Sequence, residues 1–245
     1  MGEIALYQFQ GDIGVESASP FCVKVHRALG YKGLDYAVRN VGTPAELKRV
    51  NPGVSKVPVL RYDGELVADS SRILELLDQR HPDPPLQPEG DHARALSCLL
   101  EDWADESLYW YAVYMRWAID TNFVPFARRI FGKVPAPLRW MLPRLARRQS
   151  LQQLHGQGIG RLPVDRVLEG LRGHLQLLQT LLAGSPFLTG ELIATADLAV
   201  FGPLRALAVE SMPETAPLVR GNDTLVDWLR RVDRVTRSPH TVSFE

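Results

Sequence analysis

The sequence predicts an α+β domain at the N-terminus followed by an all-helical domain. Short apolar runs and helical patterns alternate over the first part of the chain, a proline-rich stretch follows, and the remainder shows helical periodicity alone. The predicted order in the first part is strand, helix, strand, helix, strand, strand, helix. We therefore place the domains at residues 1–81 and 91–245, joined by a linker at 82–90.

The first predicted strand covers residues 4–9 and leads through a loop of small and polar residues to Ser19 and Pro20. Serine followed by proline is typical of a helix cap with proline in the first helical turn. The helix that begins there contains Cys22. It is predicted to end at Gly30, the residue type expected where a helix closes in a left-handed turn.

The start of this helix is where the sequence predicts chemistry. Amides without intrahelical partners, together with the helix dipole, favour an anion at that point. A serine hydroxyl can also donate to the anion, and a hydrogen bond to a charged group contributes about 1.5–3 kcal/mol. Such a bond lowers a thiol pKa by about one to two units. Ser19 is therefore the leading candidate for stabilising a thiolate, and a plain helix cap is the alternative.

The remaining elements of the first part follow from apolar patterning and turn residues. They are a strand within 34–41, a helix at 44–50, and strands at 57–62 and 66–68. Asp63-Gly64 between the last two strands is a strong hairpin signal. Asp69-Ser70 then introduces a helix that ends before the prolines of the linker.

Three motifs in this region together resemble the thioredoxin-like domain of glutathione transferases. They are Ser19-Pro20-Phe21-Cys22, Lys56-Val57-Pro58-Val59 and Asp69-Ser70-Ser71-Arg72-Ile73. The resemblance implies a cis peptide bond before Pro58, with Val57 offering its backbone to the cysteinyl part of glutathione. It also implies that Asp69 and Ser70 hold the γ-glutamyl group and that Lys56 lies near the glycyl end. The alternatives are a helix cap for Asp69-Ser70 and a solvated side chain for Lys56.

The resemblance leaves the residue that activates the thiol open. Ser19 matches the serine of the serine-type classes and is preferred. Tyr7 matches the tyrosine of other classes, with core packing as the alternative, and Ser17 is the nearest other hydroxyl. Cys22 stands where redox relatives with Cys-Pro-x-Cys place the second cysteine, so we expect a buried helix residue rather than a nucleophile.

Composition bounds the remaining function classes. The formal charge is zero, from 28 basic and 28 acidic residues, which argues against a nucleic-acid binder that acts through global charge. The two cysteines, Cys22 and Cys98, fall in different predicted domains, so we expect no disulfide scaffold and a reducing cytosol. We see no signal peptide and no stretch of the roughly 20 apolar residues that would span a bilayer. No metal site is predicted.

The helical remainder carries a broad apolar face. In the resembling family such helices line the pocket for the electrophile and form the dimer contact. Trp110, Tyr111, Tyr114 and Trp117 are therefore candidate pocket residues, and core packing is the alternative for each. The same resemblance implies a homodimer.

A basic insertion is predicted at about 121–164. It contains no aspartate or glutamate, and its basic residues are Arg128, Arg129, Lys133, Arg139, Arg144, Arg147, Arg148 and Arg161. The prolines at 135, 137 and 143 are expected to break it into short helices. It could line the pocket mouth for an anionic substrate, contact an acidic membrane surface, or be a solvated insertion.

The glycine-rich passage at 155–161 lacks the flanking strand and Lys-Ser/Thr of a phosphate loop. It resembles the metaxin and failed-axon-connections branch of the transferase superfamily, where a long helix follows. Phe187-Leu188-Thr189-Gly190 and Thr195-Ala196-Asp197-Leu198 extend that resemblance. Asp197 matches the structural cap of the superfamily, although Ala194 stands where a serine or threonine is usual.

The resemblance as a whole implies a transferase-like enzyme with glutathione as co-substrate and a small hydrophobic electrophile. A non-catalytic scaffold of the same fold and a thiol reductase or peroxidase using Cys22 are the alternatives.

Overall fold

The computed structural model describes residues 3–132, 134–136 and 138–244. In these ranges the chain forms one four-stranded sheet and a series of α-helices. The strands are β1 (Ala5–Gln8), β2 (Ala37–Asn40), β3 (Val59–Tyr62) and β4 (Glu65–Ala68). The helices are α1 (Pro20–Tyr31), α2 (Pro44–Val50), α3 (Ser70–Arg80), α4 (Asp91–Trp103), α5 (Tyr109–Trp117), α6 (Asp120–Phe131), α7 (Leu138–Gln157), α8 (Val164–Leu182), α9 (Thr195–Leu207), α10 (Ala216–Arg220) and α11 (Asp223–Val235).

The sheet has the strand order β2-β1-β3-β4, with β1 parallel to β2 and antiparallel to β3. Within it, Val59 pairs with Tyr7 on one side and with Ala68 on the other. This register brings the end of β1, the start of β3 and the end of β4 to one end of the sheet. The predicted element order is confirmed, and the fold is a thioredoxin-like domain followed by a helical one.

Helix α1 forms the centre of the molecule, because it packs on α3 and on α9 of the helical part. Gly202 on α9 permits this approach, since a Cβ atom there would lie 2.6 Å from the carbonyl oxygen of Pro20. The prediction that α1 closes in a left-handed turn at Gly30 is wrong. The helix continues to Tyr31, and Gly33, with a φ of 63°, takes the left-handed conformation. Gly30 instead faces the carbonyl oxygen of Thr236, which leaves no room for a side chain.

Helices α4 and α5 form one continuous rod, because a π-helical turn at Ala104–Leu108 joins them. A π turn inserts an extra residue into the helical repeat and rotates all later side chains around the axis. The faces of α4 and α5 therefore differ from those that a regular helix over the same residues would present.

The basic insertion forms two helices, α6 and α7, rather than several short ones. Pro143 lies inside the 20-residue α7, so the prediction that it breaks the helix is wrong. Proline has no backbone N–H, so the helical hydrogen bond from residue 143 to the carbonyl oxygen of Arg139 does not form. Only this one backbone hydrogen bond, near the start of the helix, is lost. Lys133 and Pro137 lie outside the described residues. The long helix predicted after the glycine-rich passage is α8.

Asp197 has the structural role expected of it. Its buried carboxylate accepts hydrogen bonds from the backbone N–H of Leu188 and Ala194, both at 3.0 Å, and from Trp228 Nε1 at 2.8 Å. Alanine at 194 provides no side-chain acceptor, so only one half of a capping box forms. Burial raises the pKa of Asp197 to about 6, against the effect of these donors. In the part of the chain that the structure describes, no helix combines the length and hydropathy needed to cross a bilayer.

Candidate active site

The start of α1 lies at the sheet end where β1, β3 and β4 converge. Ser19 is the N-cap residue, and its hydroxyl makes no capping hydrogen bond, while its carbonyl accepts from the amides of Cys22 and Val23. Pro20 occupies the first helical turn, as predicted from the sequence. Ser19 is 9 % exposed, so its hydroxyl lies at the boundary between the core and the surface.

The three alternative residues are engaged in packing. Ser17 donates to the carbonyl oxygen of Phe9 at 2.9 Å and accepts from the amide of Ser19 at 3.2 Å, which fixes the loop before α1. Tyr7 packs against a small core cluster that includes Cys22. Core packing is the role considered above as the alternative to thiol activation by Tyr7.

Cys22 is fully buried. Burial raises the pKa of its thiol to about 11, and the nearby hydroxyls of Ser19 and Ser17, which favour the thiolate, do not offset this. A thiol with this pKa is protonated at neutral pH and is a poor nucleophile. The geometry is that of a buried helix residue.

The peptide bond between Val57 and Pro58 is cis, as the resemblance implied. Val57 is buried and precedes the first residue of β3 by two positions. In the described part of the chain, neither the N–H nor the C=O of Val57 makes a backbone hydrogen bond. This backbone can pair with an extended peptide, as an added strand does. The neighbouring Lys56 is exposed, and its carbonyl oxygen accepts from Asn51.

Asp69 and Ser70 lie where β4 meets α3. One carboxylate oxygen of Asp69 accepts from the amides of Ser71 and Arg72, at 3.0 and 3.2 Å, so it caps the helix. Its φ of 83° is unusual for a residue with a side chain, and strain of this kind is concentrated at functional sites. Ser70 is buried at the first helical position. Asp69 thus caps α3 and still has a second oxygen available to a cation.

A buried lysine ties α1 to α3 and α4 beside this corner. Lys24 Nζ lies 2.6 Å from Glu101, 2.8 Å from Asp105 and 3.2 Å from the hydroxyl of Ser71. Burial raises the pKa of Asp105, and Lys24 opposes that rise. The carboxylate of Asp69 also acts on Asp105, which shows that these acidic groups share one region.

Two residues that the sequence did not single out face the start of α1 from α5. The Tyr109 ring lies 4.7 Å from the Phe21 ring, and burial raises the pKa of Tyr109. Arg116, seven residues further on, is 5 % exposed and donates from Nη1 to the carbonyl oxygen of Ala18 at 2.7 Å. Its Nε is buried without a hydrogen-bond partner among the described residues, and burial lowers its pKa. A spacing of seven residues, as between Tyr109 and Arg116, is visible in the sequence as a helical pattern. The π turn that sets the direction of these two side chains has no sequence signature.

The four aromatic residues proposed for the pocket point in different directions. Tyr114 is buried and donates to the carbonyl oxygen of Leu162 at 3.1 Å, and Tyr111 contacts Gly170 and His174 on α8. Both pack between helices, so neither is kept in the proposed pocket. The other two residues contact neighbouring aromatic rings. Trp110 contacts Tyr109, and Trp117 packs against Phe123 and Phe126 of α6.

Similar proteins are found by comparison with known families. Residues 17–85 match the model of the glutathione S-transferase N-terminal domain. An isoprene-epoxide glutathione S-transferase from Rhodococcus sp. is 25 % identical over 94 % of this chain and 97 % of its own length. Failed axon connections from Drosophila melanogaster is 26 % identical over 88 % of this chain, which spans 52 % of that longer protein.

Solved structures agree with the fold. A beta-etherase from Sphingobium sp. superposes with a TM-score of 0.67 at 21 % identity, covering 98 % of this chain and 97 % of the other. A glutathione S-transferase III in its apo form superposes with a TM-score of 0.64 at 18 % identity, covering 98 % and 94 %. The molecule thus has a thioredoxin-like domain with a helical partner domain. Residues 17–85 thus form a glutathione S-transferase N-terminal domain, and most of the chain is similar to a glutathione S-transferase and to Failed axon connections.

Proposed function

We propose that this chain is a glutathione transferase that adds the thiolate of glutathione to a small apolar electrophile. The observation that carries the proposal is the convergence of three groups at one end of the sheet. They are the start of α1 at Ser19, the unpaired backbone of Val57, and the start of α3 at Asp69 and Ser70. Together they offer a backbone pairing edge, a carboxylate for an ammonium group, and two helix starts for anions.

In the proposed mechanism, glutathione lies along these groups with its cysteinyl part paired to Val57. Asp69 takes the γ-glutamyl ammonium, and the amide end of α3 with Ser70 takes the carboxylate. The sulfur then lies at the start of α1, where the helix dipole and the Ser19 hydroxyl stabilise the thiolate. The thiolate attacks the electrophilic carbon, a carbon–sulfur bond forms, and the leaving group or ring oxygen takes the electron pair and a proton.

An epoxide is the electrophile class that we propose. The support is the full-length similarity to an isoprene-epoxide transferase, together with the ring contact between Phe21 and Tyr109 at the start of α1. Opening an epoxide produces an oxyanion. Arg116 and Tyr109 place a cation and a hydroxyl on the same side of α5.

A homodimer in a reducing cytosol is also proposed, from family expectation and from two free cysteines, Cys22 and Cys98.

Calorimetric titration with reduced glutathione tests the binding step. We expect saturable binding that Ser70→Ala weakens, while Ser19→Ala leaves affinity nearly unchanged and lowers turnover of a small epoxide. Absence of binding at millimolar glutathione would contradict the proposal. Equal loss of affinity in both variants, with turnover retained in Ser19→Ala, would remove Ser19 from the mechanism.

A non-catalytic binding protein of the same fold is the second candidate, and the match to Failed axon connections over most of this chain favours it. Glutathione that raises the melting temperature without any turnover of epoxides would support this candidate. A reductase that uses Cys22 is disfavoured by its burial and its pKa of about 11. Cys22→Ala should therefore keep full activity, and loss of activity in a folded variant would reinstate the reductase.

A further inference from the structure

The residues that follow α11 fold back onto the sheet domain and α9. His240 Nε2 donates to the carbonyl oxygen of Tyr36, just before β2, at 2.8 Å. Phe244 is 6 % exposed, and the guanidinium carbons of Arg205 and Arg220 lie 4.9 and 5.3 Å from the centre of its ring. We call residues 238–244 the tail segment. A backbone contact at its start and a buried aromatic side chain near its end thus hold it in place.

Between these two anchors, the backbone of the tail segment contacts the loop before α1. The N–H of Val242 donates to a carboxylate oxygen of Glu16 at 3.2 Å, and its carbonyl oxygen accepts from Arg27 at 2.9 Å. Arg27 also pairs with the same carboxylate oxygen, and the side chains of Glu16 and Arg27 are both fully buried. Val242 therefore closes a ring of three hydrogen bonds with one residue of the loop and one of α1.

Arg205 on α9 joins the loop and the tail segment a second time. Its Nη2 donates to the carbonyl oxygens of Gly14, Val242 and Ser243, the last two at 3.3 and 3.2 Å. Arg205 is 3 % exposed, so these bonds form in a buried environment where a lost partner is costly. The loop and the tail segment therefore share one buried donor and depend on each other for order.

The loop leads directly to the start of α1. Glu16 lies three residues before Ser19, and its carbonyl oxygen accepts from Gln8 of β1 at 3.2 Å. The next residue, Ser17, accepts from the amide of Ser19 at 3.2 Å. A group that stabilises a reacting atom has to be held to within about 0.5 Å. A shift of Glu16 would reach the Ser19 hydroxyl through only two intervening residues.

We propose that the tail segment positions the loop that carries Ser19, through the N–H of Val242 and the carboxylate of Glu16. The tail segment is a positioning element, and Ser19 remains the residue that contacts the sulfur. The effect on the ionised thiol rests on the proposed function, whereas the ordering of the loop does not. A purely stabilising tail segment makes a different prediction, namely a lower melting temperature with no change in the chemistry of the bound thiol.

Hydrogen exchange, followed by mass spectrometry on the full chain, tests the ordering of the loop. Val242→Pro removes the N–H that Glu16 accepts, and Val242→Ala is the matched control because it keeps that N–H. The amides of Asp12, Val15 and Ala18 bond within the loop, so their exchange reports its order. We expect Val242→Pro to speed their exchange about tenfold or more and Val242→Ala to leave it unchanged. Equal protection in the wild type and Val242→Pro would overturn the proposal.

The pKa of bound glutathione tests the effect on Ser19. Titration of thiolate absorbance in the saturated complex should give a pKa about one unit higher in Val242→Pro than in Val242→Ala. Turnover at neutral pH should then fall up to about tenfold and recover at higher pH. Glutathione affinity should change less than about twofold, because Val57 and Asp69 lie on other segments. A lower melting temperature with an unchanged thiol pKa would overturn the proposal.

Two further outcomes keep the proposals separate. If the wild type binds no glutathione, the proposed function fails, and hydrogen exchange alone decides whether the tail segment orders the loop. Phe244→Ala releases the tail segment without touching Val242, and Phe244→Leu, which keeps most of the buried volume, is its control. We expect exchange to rise in both the tail segment and the loop of Phe244→Ala. A freely exchanging tail segment beside a fully protected loop would overturn the proposal.

Discussion

The burial of Arg116 is energetically unfavourable, because a buried cation without a carboxylate partner costs free energy. Its guanidinium donates to the carbonyl oxygen of Ala18, one residue before Ser19, and stacks 4.9 Å from the centre of the Phe126 ring. No ion pair to Arg116 forms within the described residues, although the charge of Asp12 acts on it. A costly feature beside a candidate site indicates a functional constraint rather than a contribution to stability.

Replacing Arg116 by methionine separates these two roles. We expect Arg116→Met to keep or raise the melting temperature, since an apolar chain of similar length replaces a buried charge. Turnover should fall about tenfold or more, because the loop before Ser19 loses its anchor and the site loses a cation. Enzyme kinetics and thermal unfolding measure the two effects. Arg147→Met is the control, because Arg147 caps α5 and pairs with Asp120, and this variant should lose stability while keeping turnover.

His26 in the middle of α1 is held neutral by burial. Gln8 donates to the carbonyl oxygen of Glu16, so its amide oxygen faces His26 Nε2 at 2.7 Å and accepts from it. The other ring nitrogen, Nδ1, then accepts from the hydroxyl of Tyr36 at 2.7 Å. Burial lowers the pKa of His26 from 6.5 to about 3, and the charge of Arg27 acts in the same direction.

This shift predicts a loss of stability in acid. As the pH falls below 6.5, the unfolded chain takes up a proton on His26, whereas the folded chain does not until about pH 3. Between pH 7.5 and 4.5 the wild type should lose about 2–3 kcal/mol relative to His26→Gln. Urea unfolding of both proteins at each pH measures the difference. The raised pKa of Asp197 makes the unfolding free energy change with pH in the opposite direction, but this effect is common to both proteins. A difference in unfolding free energy between the two proteins that stays constant with pH would refute the assignment.

At the scale of elements, the packing of α1 against α11 depends on a glycine. A Cβ atom at Gly30 would overlap the carbonyl oxygen of Thr236, which is backbone and cannot rotate away. Gly30→Ala should therefore lower the free energy of unfolding by about 1–3 kcal/mol. Gly173→Ala on α8, where a Cβ would meet nothing within 4 Å, should instead raise it by about 0.5–1 kcal/mol through helix propensity. Urea unfolding compares them, and equal effects would contradict the packing argument.

The sequence was sufficient for those elements whose signals are local. The start of α1 at Pro20, the hairpin at Asp63-Gly64, with φ of 49° and 89°, and the boundaries of α2 are all where propensity and turn chemistry place them. The side-chain cap predicted for Ser19 does not form. The role of Gly30 was missed because its neighbour, Thr236, is distant in the chain. The direction of Tyr109 and Arg116 was missed because the π turn before them has no sequence signature. The assignment of Ser19 and Asp69 to glutathione remains a prediction.

At the scale of the whole molecule, buried ion pairs on α1 join the sheet domain to the helical one. Arg27 contacts Glu16 in the loop before the helix and Asp233 on α11, the latter at 2.7 Å. One turn earlier, Lys24 contacts Glu101 and Asp105 in the rod of α4 and α5. Separation of the two parts would leave these charges without partners, which costs several kcal/mol per buried ion. The two parts should therefore stabilise each other.

We expect the whole chain to unfold in one cooperative transition. All five tryptophans lie after residue 91, so their fluorescence reports the helical part, and the reactivity of buried Cys22 in a Cys98→Ser background reports the sheet part. The two urea midpoints should coincide, because α1 belongs to both cores. Asp233→Asn removes one partner of Arg27 and should lower both midpoints together. Labelling of Cys22 well before the change in fluorescence would show instead that the sheet part opens alone and that the pairs of Lys24 and Arg27 do not couple the domains.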